Sequence, residues 1–164
     1  FTRFLNENGI PYFLSGGTLL GAVRQSSFAG RPGDIDLGIL EDDEIKLLSL
    51  LPLLEELNFA LDPAYTHFAD KIVFTKWRTP HVDVMVYRPL NRVSETSSMS
   101  YCHVNASAKK FICSIDFTEL RTASIFDYKF PVPKNAEEFI ANQYGESWRV
   151  PDAPQFVPQK RRFF

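Results

Sequence analysis

The chain has 164 residues, 45% of them hydrophobic and 14% aromatic, and its formal net charge is −2 at pH 7. This composition is typical of one well-packed globular domain and argues against a disordered chain. The small negative charge excludes nucleic-acid binding by bulk electrostatics, so no nucleic-acid partner is predicted.

The first forty residues are predicted to alternate between helix and strand. Apolar residues in the opening segment predict a short helix that ends near Gly9, followed by a strand over residues 12–14. A second helix is predicted over residues 18–24, and a loop rich in glycine and serine over residues 26–33. Residues 35–40 alternate between apolar and small or acidic side chains, which predicts a strand.

One longer helix is predicted between residues 42 and 57. Acidic residues at its start suit the positive end of the helix dipole. Pro52 is expected to split or kink the helix, because proline cannot donate the backbone hydrogen bond of a helix interior. The predicted buried stripe has four apolar residues at helical spacing, namely Ile45, Leu48, Leu51 and Leu54.

Two strands, residues 71–77 and 81–87, are predicted on either side of a turn at residues 78–80. Residues 88–110 are polar and carry no clear periodicity, so no element is assigned to them. A further strand is predicted at residues 111–115. The order of elements up to this point indicates a mixed α/β fold.

The C-terminal part is predicted to hold one extended stretch and one helix. The extended stretch covers residues 123–132, and the helix begins after the N-cap Asn135 and runs to Tyr144. Residues 152–164 are rich in proline at their start and are expected to form an irregular tail. No internal repeat is visible, so residues 1–164 are expected to form a single domain of the α/β (α+β) class.

Three aspartates form a candidate metal site. Asp34 and Asp36 are separated by one residue on an extended segment, so their carboxylates point to the same face and repel each other unless a cation sits between them. Asp83 lies on a strand whose opposite face is all valine, and it joins the pair if the two strands are neighbours. Carboxylate oxygens suit Mg²⁺ or Mn²⁺. Asp83 has two candidate roles, metal ligand and general base.

A turn before the second helix is a candidate phosphate site, because backbone N–H groups at a helix start suit an anion. The turn consists of Gly16, Gly17 and Thr18. Arg24 has two interpretations, a phosphate clamp and a charge that complements the helix C-terminus. Lys71 and Lys76 are alternative phosphate binders.

Each of these features also has a purely structural interpretation. An Asp-x-Asp after a glycine-containing loop is often a turn or a helix cap, and two adjacent glycines are often an ordinary turn. The two motifs occur together here, at the spacing of a strand, a helix and a loop. That combination favours a functional site.

Residues 16–24, GGTLLGAVR, followed by residues 34–39, DIDLGI, resemble the LicD/fukutin family. Residues 131–151 resemble that family's Pro…Tyr-Gly-x-x-Trp ending, and Asp83 lies where the family carries its third aspartate. The resemblance spans roughly residues 9–152. Residues 31–33 read Arg-Pro-Gly where the bacterial choline transferases usually carry Trp-Asp-Asp, so the chain is more similar to the fukutin side.

The resemblance implies a nucleotidyltransferase-like fold, a small mixed β-sheet flanked by helices. It implies an Mg²⁺- or Mn²⁺-dependent enzyme that moves phosphocholine or an alditol phosphate from a CDP-activated donor to a hydroxyl of a glycan or glycoprotein acceptor. By the same resemblance, Asp34 and Asp36 are metal ligands and Asp83 is the third catalytic carboxylate. The Gly-Gly-Thr turn holds phosphate and Arg24 contacts the donor. Tyr144 and Trp148 are interpreted as packing residues.

Two other functions stay open from the sequence. One is a nucleotidyltransferase that passes a nucleoside monophosphate to a small molecule, and the other is a non-catalytic member that acts as a binding domain. The chain begins with Phe1 rather than Met, so we expect a domain excised from a longer protein, with any membrane anchor outside it. The compartment follows from the source: a Golgi or secretory lumen in a eukaryote, the cytoplasm in a bacterium.

Overall fold

The computed structural model describes residues 1–30, 33–62, 70–77, 80–89, 99–104, 110–115 and 119–151. The predicted tail at residues 152–164 lies outside the described residues, as do two of the three residues of the predicted turn at 78–80. Among the helices that the structure describes, none has the length and apolar character that a membrane span requires.

In the N-terminal half, the described residues form four helices and four strands, which largely follow the predicted order. They are α1 (Thr2–Glu7), β1 (Phe13–Leu14), α2 (Gly16–Gln25), β2 (Asp34–Leu40), α3 (Glu41–Ser49), α4 (Leu51–Glu56), β3 (Ala60–Leu61) and β4 (Lys71–Thr75). The C-terminal half follows with β5 (His81–Pro89), β6 (Met99–Val104), β7 (Lys110–Ile115), β8 (Arg121–Ile125), β9 (Tyr128–Val132), α5 (Ala136–Tyr144) and a 3₁₀ helix (Glu146–Arg149).

The main sheet is mixed, with the strand order β1-β2-β5-β4-β3. β2 and β5 pair in parallel at its centre, and the other pairs are antiparallel. β6 pairs with the end of β5 and with β7, and β8 and β9 form a separate two-stranded sheet. The fold class predicted from the sequence, a small mixed sheet flanked by helices, is confirmed.

The two central strands are buried on both faces. Val84 and Val86 of β5 are fully buried on one face, and Met85 and Tyr87 are buried on the other. The face that carries Asp83 is therefore polar only near the start of the strand and is buried from Met85 onward. The reason is that α5 covers this face: the ring of its Phe139 lies 6.0 Å from the ring of Tyr87.

The predicted single helix over residues 42–57 is two helices, α3 and α4. The chain breaks at Leu50, and Pro52 lies in the first turn of α4, where its missing N–H costs no hydrogen bond. Ile45, predicted to be buried, is 79% exposed, whereas Leu47 is fully buried. The stripe was wrong at this position because the break gives each short helix its own orientation against the core.

Two further segments differ from the prediction. Residues 88–110 contain the strand β6, which has no alternating pattern. The extended stretch at residues 123–132 is a hairpin, β8–β9, which reverses at Phe126. Phe126 adopts a left-handed conformation with φ = 52°, and a bulky aromatic residue gives no sequence signal for such a turn.

Candidate metal centre

Two neighbouring parallel strands bring the three predicted aspartates together. Asp36 of β2 is the register partner of Asp83 of β5, so their side chains share a face, and Asp34 lies two residues earlier on that face. Oxygens from the three carboxylates lie within 4.8 Å of one another. Asp34 is exposed, whereas Asp36 and Asp83 are 8% and 4% exposed. The structure therefore forms a partly buried cluster of three acids, here called the acid cluster.

Burial and mutual repulsion make the acid cluster hard to ionise. Burial and then the charge of Asp34 raise the pKa of Asp36 to about 6, against the opposing effect of backbone N–H donors. Burial and then the charge of Asp83 raise the pKa of Asp34. For Asp36 the rise corresponds to roughly 3 kcal/mol in favour of the protonated form. A cation bound at the acid cluster would offset this repulsion.

The start of α2 holds Asp36 in place. The Thr18 N–H donates to Asp36 Oδ2 at 3.3 Å, and the Asp36 N–H donates to Thr18 Oγ1 at 2.9 Å. The Ser15 N–H donates to the Asp36 carbonyl at 3.1 Å. The Ser-Gly-Gly-Thr turn is thus hydrogen-bonded to the backbone of Asp36 as well as to its carboxylate, which fixes the orientation of Asp36.

Gly16 is required at this turn for two reasons. Its φ is +49°, a conformation that side chains other than glycine disfavour, and a Cβ there would lie 2.6 Å from Asp36 Cγ. A Cβ at Gly17 would lie 3.5 Å from Asp36 Oδ2. The two glycines and Thr18 thus lie against the acid cluster, and their role in binding phosphate stays a prediction.

Lys71 contacts the acid cluster. It begins β4, next to β5, and its Nζ lies 2.5 Å from Asp83 Oδ2. Of the two lysines predicted as alternative phosphate binders, the structure places Lys71 against an acid of the cluster. Lys76 Nζ instead donates to the Leu57 carbonyl at 3.0 Å and lies 4.6 Å from the centre of the Phe59 ring.

Tyr144 lies beside the acid cluster, a position that the sequence analysis did not predict. Its hydroxyl lies 3.9 Å from the position that a Cβ at Gly17 would occupy, and its side chain is 41% exposed rather than packed in the core. Burial, followed by the charges of Asp36 and Asp34, raises the pKa of Tyr144 to about 12, so the phenol stays protonated. The signal was its place in the Tyr-Gly-x-x-Trp block. Trp148 of the same block is buried, as predicted.

Arg24 is not brought to the acid cluster. It lies in the last turn of α2, at the opposite end from Gly16, and its guanidinium donates to the Trp148 carbonyl at 3.2 Å. A second bond runs from its Nε to Gln25 Oε1 at 3.3 Å. In this arrangement Arg24 links α2 to the 3₁₀ helix.

Two cavities share the lining residues Thr18 and Phe28, and the smaller one lies at the acid cluster. A small one of about 90 Å³ opens onto Asp34 and Asp36 and is also lined by Thr18 and Phe28. A larger, mainly apolar cavity of about 460 Å³ shares Thr18 and Phe28 as lining residues and extends between the sheet and the β8–β9 hairpin. A ligand can therefore reach the carboxylates from the first cavity.

The donor set fits a hard divalent cation. Three carboxylates within 4.8 Å of one another supply only oxygen ligands, as Mg²⁺ and Mn²⁺ prefer. Burial and the charge of Asp34 raise the pKa of Asp36, so a cation bound beside it would favour its ionised form. The acid cluster can therefore hold a metal ion, with room at the exposed Asp34 for solvent or substrate oxygens.

Residues 9–135 match a family model described as LicD/FKTN/FKRP, nucleotidyltransferase domain. The chain is 29% identical over 156 residues to human ribitol-5-phosphate transferase FKTN, an alignment that covers 91% of this chain and 32% of that protein. It is 42% identical over 59 residues to an uncharacterised protein of Rickettsia prowazekii, covering 36% of this chain and 22% of the relative. The chain thus spans a third or less of these relatives.

A solved structure of the lincosamide antibiotic adenylyltransferase LnuA, bound to lincomycin, is similar to this fold. The TM-score is 0.53 at 14% sequence identity, and the match covers 84% of this chain and 78% of the other. At that identity the similarity supports the nucleotidyltransferase fold alone.

Proposed function

We propose that this chain, which belongs to the LicD/FKTN/FKRP nucleotidyltransferase-domain family, is an Mg²⁺- or Mn²⁺-dependent phosphotransferase. In this proposal it moves an alditol phosphate or phosphocholine from a CDP-activated donor to a glycan hydroxyl. One observation carries the proposal: Asp34, Asp36 and Asp83 converge beside the N-terminus of α2. Family members are phosphotransferases and nucleotidyltransferases, and this cluster supplies the charge arrangement that such chemistry needs.

The transfer forms one bond and breaks one. An acceptor hydroxyl oxygen bonds to the phosphorus of the transferred group, and the bond from that phosphorus to the bridging oxygen breaks. CMP leaves with the electron pair of the broken bond. In this proposal one carboxylate oxygen of Asp34 would hold the metal, and the other, on the exposed side of the cluster, would accept the hydroxyl proton.

The residues around the acid cluster have separate roles in the proposed transfer. A bound Mg²⁺ or Mn²⁺ supplies positive charge against the donor phosphates. Asp36 and Asp83 are the buried ligands, and the hydrogen bonds to Thr18 hold Asp36 in a fixed orientation. The protonated hydroxyl of Tyr144 lies beside Gly17 and can donate a hydrogen bond to a phosphate oxygen.

The nature of the donor rests on the similarity to FKTN. The human relative is named a ribitol-5-phosphate transferase, and its alignment covers 91% of this chain. That similarity supports a CDP-alditol donor and a glycan acceptor. The similarity to LnuA, an adenylyltransferase, is the reason to test for transfer of the nucleotide instead.

The test uses CDP-ribitol labelled separately in its cytidine and its ribitol, together with Mn²⁺ and a glycan acceptor. We expect the ribitol label to appear on the acceptor and the cytidine label to be released as CMP. Cytidine label on the acceptor would identify a nucleotidyltransferase. If no label is transferred and the protein binds neither Mn²⁺ nor CDP, the chain is a non-catalytic domain. Asp36→Asn is the negative control.

A further inference from the structure

Lys71 contacts Asp83 of the acid cluster and is partly exposed to solvent. It pairs with Met85 at the start of β4, so its side chain lies on the same sheet face as Asp83. Its Nζ lies 2.5 Å from Asp83 Oδ2, and the side chains of Lys71 and Asp83 are 26% and 6% exposed. The ammonium group therefore contacts a buried carboxylate while staying accessible from the solvent side of the acid cluster.

Several other cations in the part of the chain that the structure describes are engaged elsewhere. Arg24 donates to the Trp148 carbonyl, and Lys46 Nζ donates to the Gly9 carbonyl at 2.8 Å. Arg88 binds three carboxylates outside the acid cluster, those of Asp70, Glu41 and Glu44. Lys71 is the described cation that contacts the acid cluster.

We infer that Lys71 is the counter-ion of the acid cluster in the metal-free protein, and that it competes with a divalent cation for Asp83. Once the cation is bound, Lys71 is released to contact a phosphate of the donor. This inference rests on the proposed function, because it takes the acid cluster to be the metal site. It makes Lys71 a catalytic residue that controls when the site accepts its ligands.

The competition follows from charge. Two cations at one carboxylate repel each other over a few ångströms. A divalent ion that also has Asp34 and Asp36 as ligands is attracted to the acid cluster more strongly than a single ammonium group is. Lysine has a flexible four-carbon stem and three rotatable donors, so its ammonium can move to an incoming phosphate without any change in the backbone. The exposed fraction of Lys71 leaves that movement open.

The test compares Lys71→Met with Lys76→Met, a variant with the same change in net charge whose lysine lies over Phe59. Calorimetric titration with Mn²⁺ and no nucleotide should show Lys71→Met binding about tenfold more tightly than the wild type, the worth of one close charge pair. In the presence of saturating Mg²⁺, its affinity for CDP should fall by about tenfold. Lys76→Met should match the wild type in both titrations.

The outcomes separate this inference from the proposed function. If the wild type binds Mn²⁺ and Lys71→Met binds it no more tightly, the competition is refuted and the proposed metal site stands. If neither the wild type nor the variants bind Mn²⁺, both the inference on Lys71 and the proposed metal site are refuted. A lower Mn²⁺ affinity in Lys71→Met also refutes the inference, since Lys71 would then orient Asp83 for the metal rather than compete with it.

A measurement on the wild type covers the case in which Lys71→Met fails to fold. The ¹³Cε and ¹⁵Nζ resonances of Lys71, assigned by comparison with Lys71→Arg, report the environment of the ammonium group. Addition of Mg²⁺ should move these resonances toward those of a solvated lysine, and later addition of CDP should move them again. Resonances of Lys71 that stay unchanged when Mg²⁺ binds would overturn the inference.

Discussion

Asp36 and Asp83 lie side by side on the parallel strands β2 and β5, and both carboxylates are almost fully buried. Lys71 pairs with Asp83, whereas burial and then the charge of Asp34 disfavour the ionised form of Asp36. The free energy of folding of the metal-free protein is therefore less favourable than it would be with neutral side chains here. We therefore expect that removal of the buried charge of Asp36 raises the stability of the metal-free protein and abolishes its activity.

Asp36→Asn should raise the stability of the metal-free protein and abolish transfer. The amide keeps an oxygen that accepts the Thr18 N–H and removes the buried charge, so at pH 7.5 the free energy of unfolding should rise by about 1–3 kcal/mol. Denaturant unfolding checks the stability, and the transfer assay checks the activity. Asp42→Asn, which changes an exposed acid of α3, is the matched control. Lower stability in Asp36→Asn would contradict the account.

The stability of the metal-free protein should depend on pH in the direction opposite to that of an ion-paired acid. The folded pKa of Asp36, about 6, is above its value in the unfolded chain, so between about pH 4 and 6 the folded state binds more protons. The contribution of Asp36 is therefore present at low pH and lost as the pH rises through 6. We expect a loss of up to about 3 kcal/mol.

The difference between wild type and Asp36→Asn isolates this contribution, because other acids titrate in both proteins. The difference in unfolding free energy should be small near pH 4 and should grow up to about pH 7. Mn²⁺ binding near pH 6 should release a proton from Asp36, and calorimetry in buffers of different ionisation enthalpy measures that proton. A stability difference that does not vary with pH would contradict a raised pKa of Asp36 in the folded protein.

Gly16→Ala should disrupt both the fold and the metal site. The new Cβ would lie 2.6 Å from Asp36 Cγ, and the left-handed backbone adds strain of about 1 kcal/mol. Gly30 has φ = +73° and nothing within 4 Å of an added Cβ, so Gly30→Ala carries the same backbone strain without the contact. Only Gly16→Ala should lose Mn²⁺ affinity. Equal effects of the two substitutions on Mn²⁺ binding would show that the contact with Asp36 is unimportant.

Tyr144→Phe should impair catalysis without affecting the fold. Removal of the hydroxyl takes away a donor beside the acid cluster, and we expect kcat/KM to fall by about tenfold or more. The ring remains, so the melting temperature should stay the same. Tyr128→Phe, at an exposed residue of the β8–β9 hairpin, is the control. Full activity in Tyr144→Phe would return Tyr144 to the packing role that the sequence indicated.

Arg88→Met should reduce stability and leave metal binding unchanged. Arg88 connects β5 to Glu41 and Glu44 of α3 and to Asp70 by three bonds of 2.9 to 3.1 Å, all partly shielded from solvent. Its loss should cost about 1–3 kcal/mol of unfolding free energy. Arg149→Met, which removes an exposed ion pair with Glu137, should cost less than about 1 kcal/mol. A change in Mn²⁺ affinity of Arg88→Met would show that this network supports the acid cluster.

The sequence was informative where local pattern decides structure. The alternation at residues 35–40 identified β2, and the valine alternation around Asp83 identified β5. That these two strands are parallel neighbours could not be read from either pattern, because pairing is a long-range property. The convergence of the three aspartates was therefore a conditional prediction, and the register of Asp36 with Asp83 meets the condition.

The sequence was less informative where distant contacts decide the role of a side chain. Tyr144 was assigned to packing because no local signal shows that the end of α5 lies against the Gly-Gly-Thr turn. Ile45 was assigned to the core because the break at Leu50 changes the orientation of α3. Arg24 had two interpretations, and only the position of Trp148 shows which group its guanidinium contacts.

The most direct test of the acid cluster as a metal site is a crystal soaked with Mn²⁺ and CDP, measured at the manganese absorption edge. The account predicts one strong anomalous peak between the carboxylates of Asp34, Asp36 and Asp83, with Lys71 turned from Asp83 toward a phosphate of CDP. The same soak of Asp36→Asn should show no peak there. A manganese peak that is absent from the wild type, or that lies away from these three carboxylates, would contradict the account.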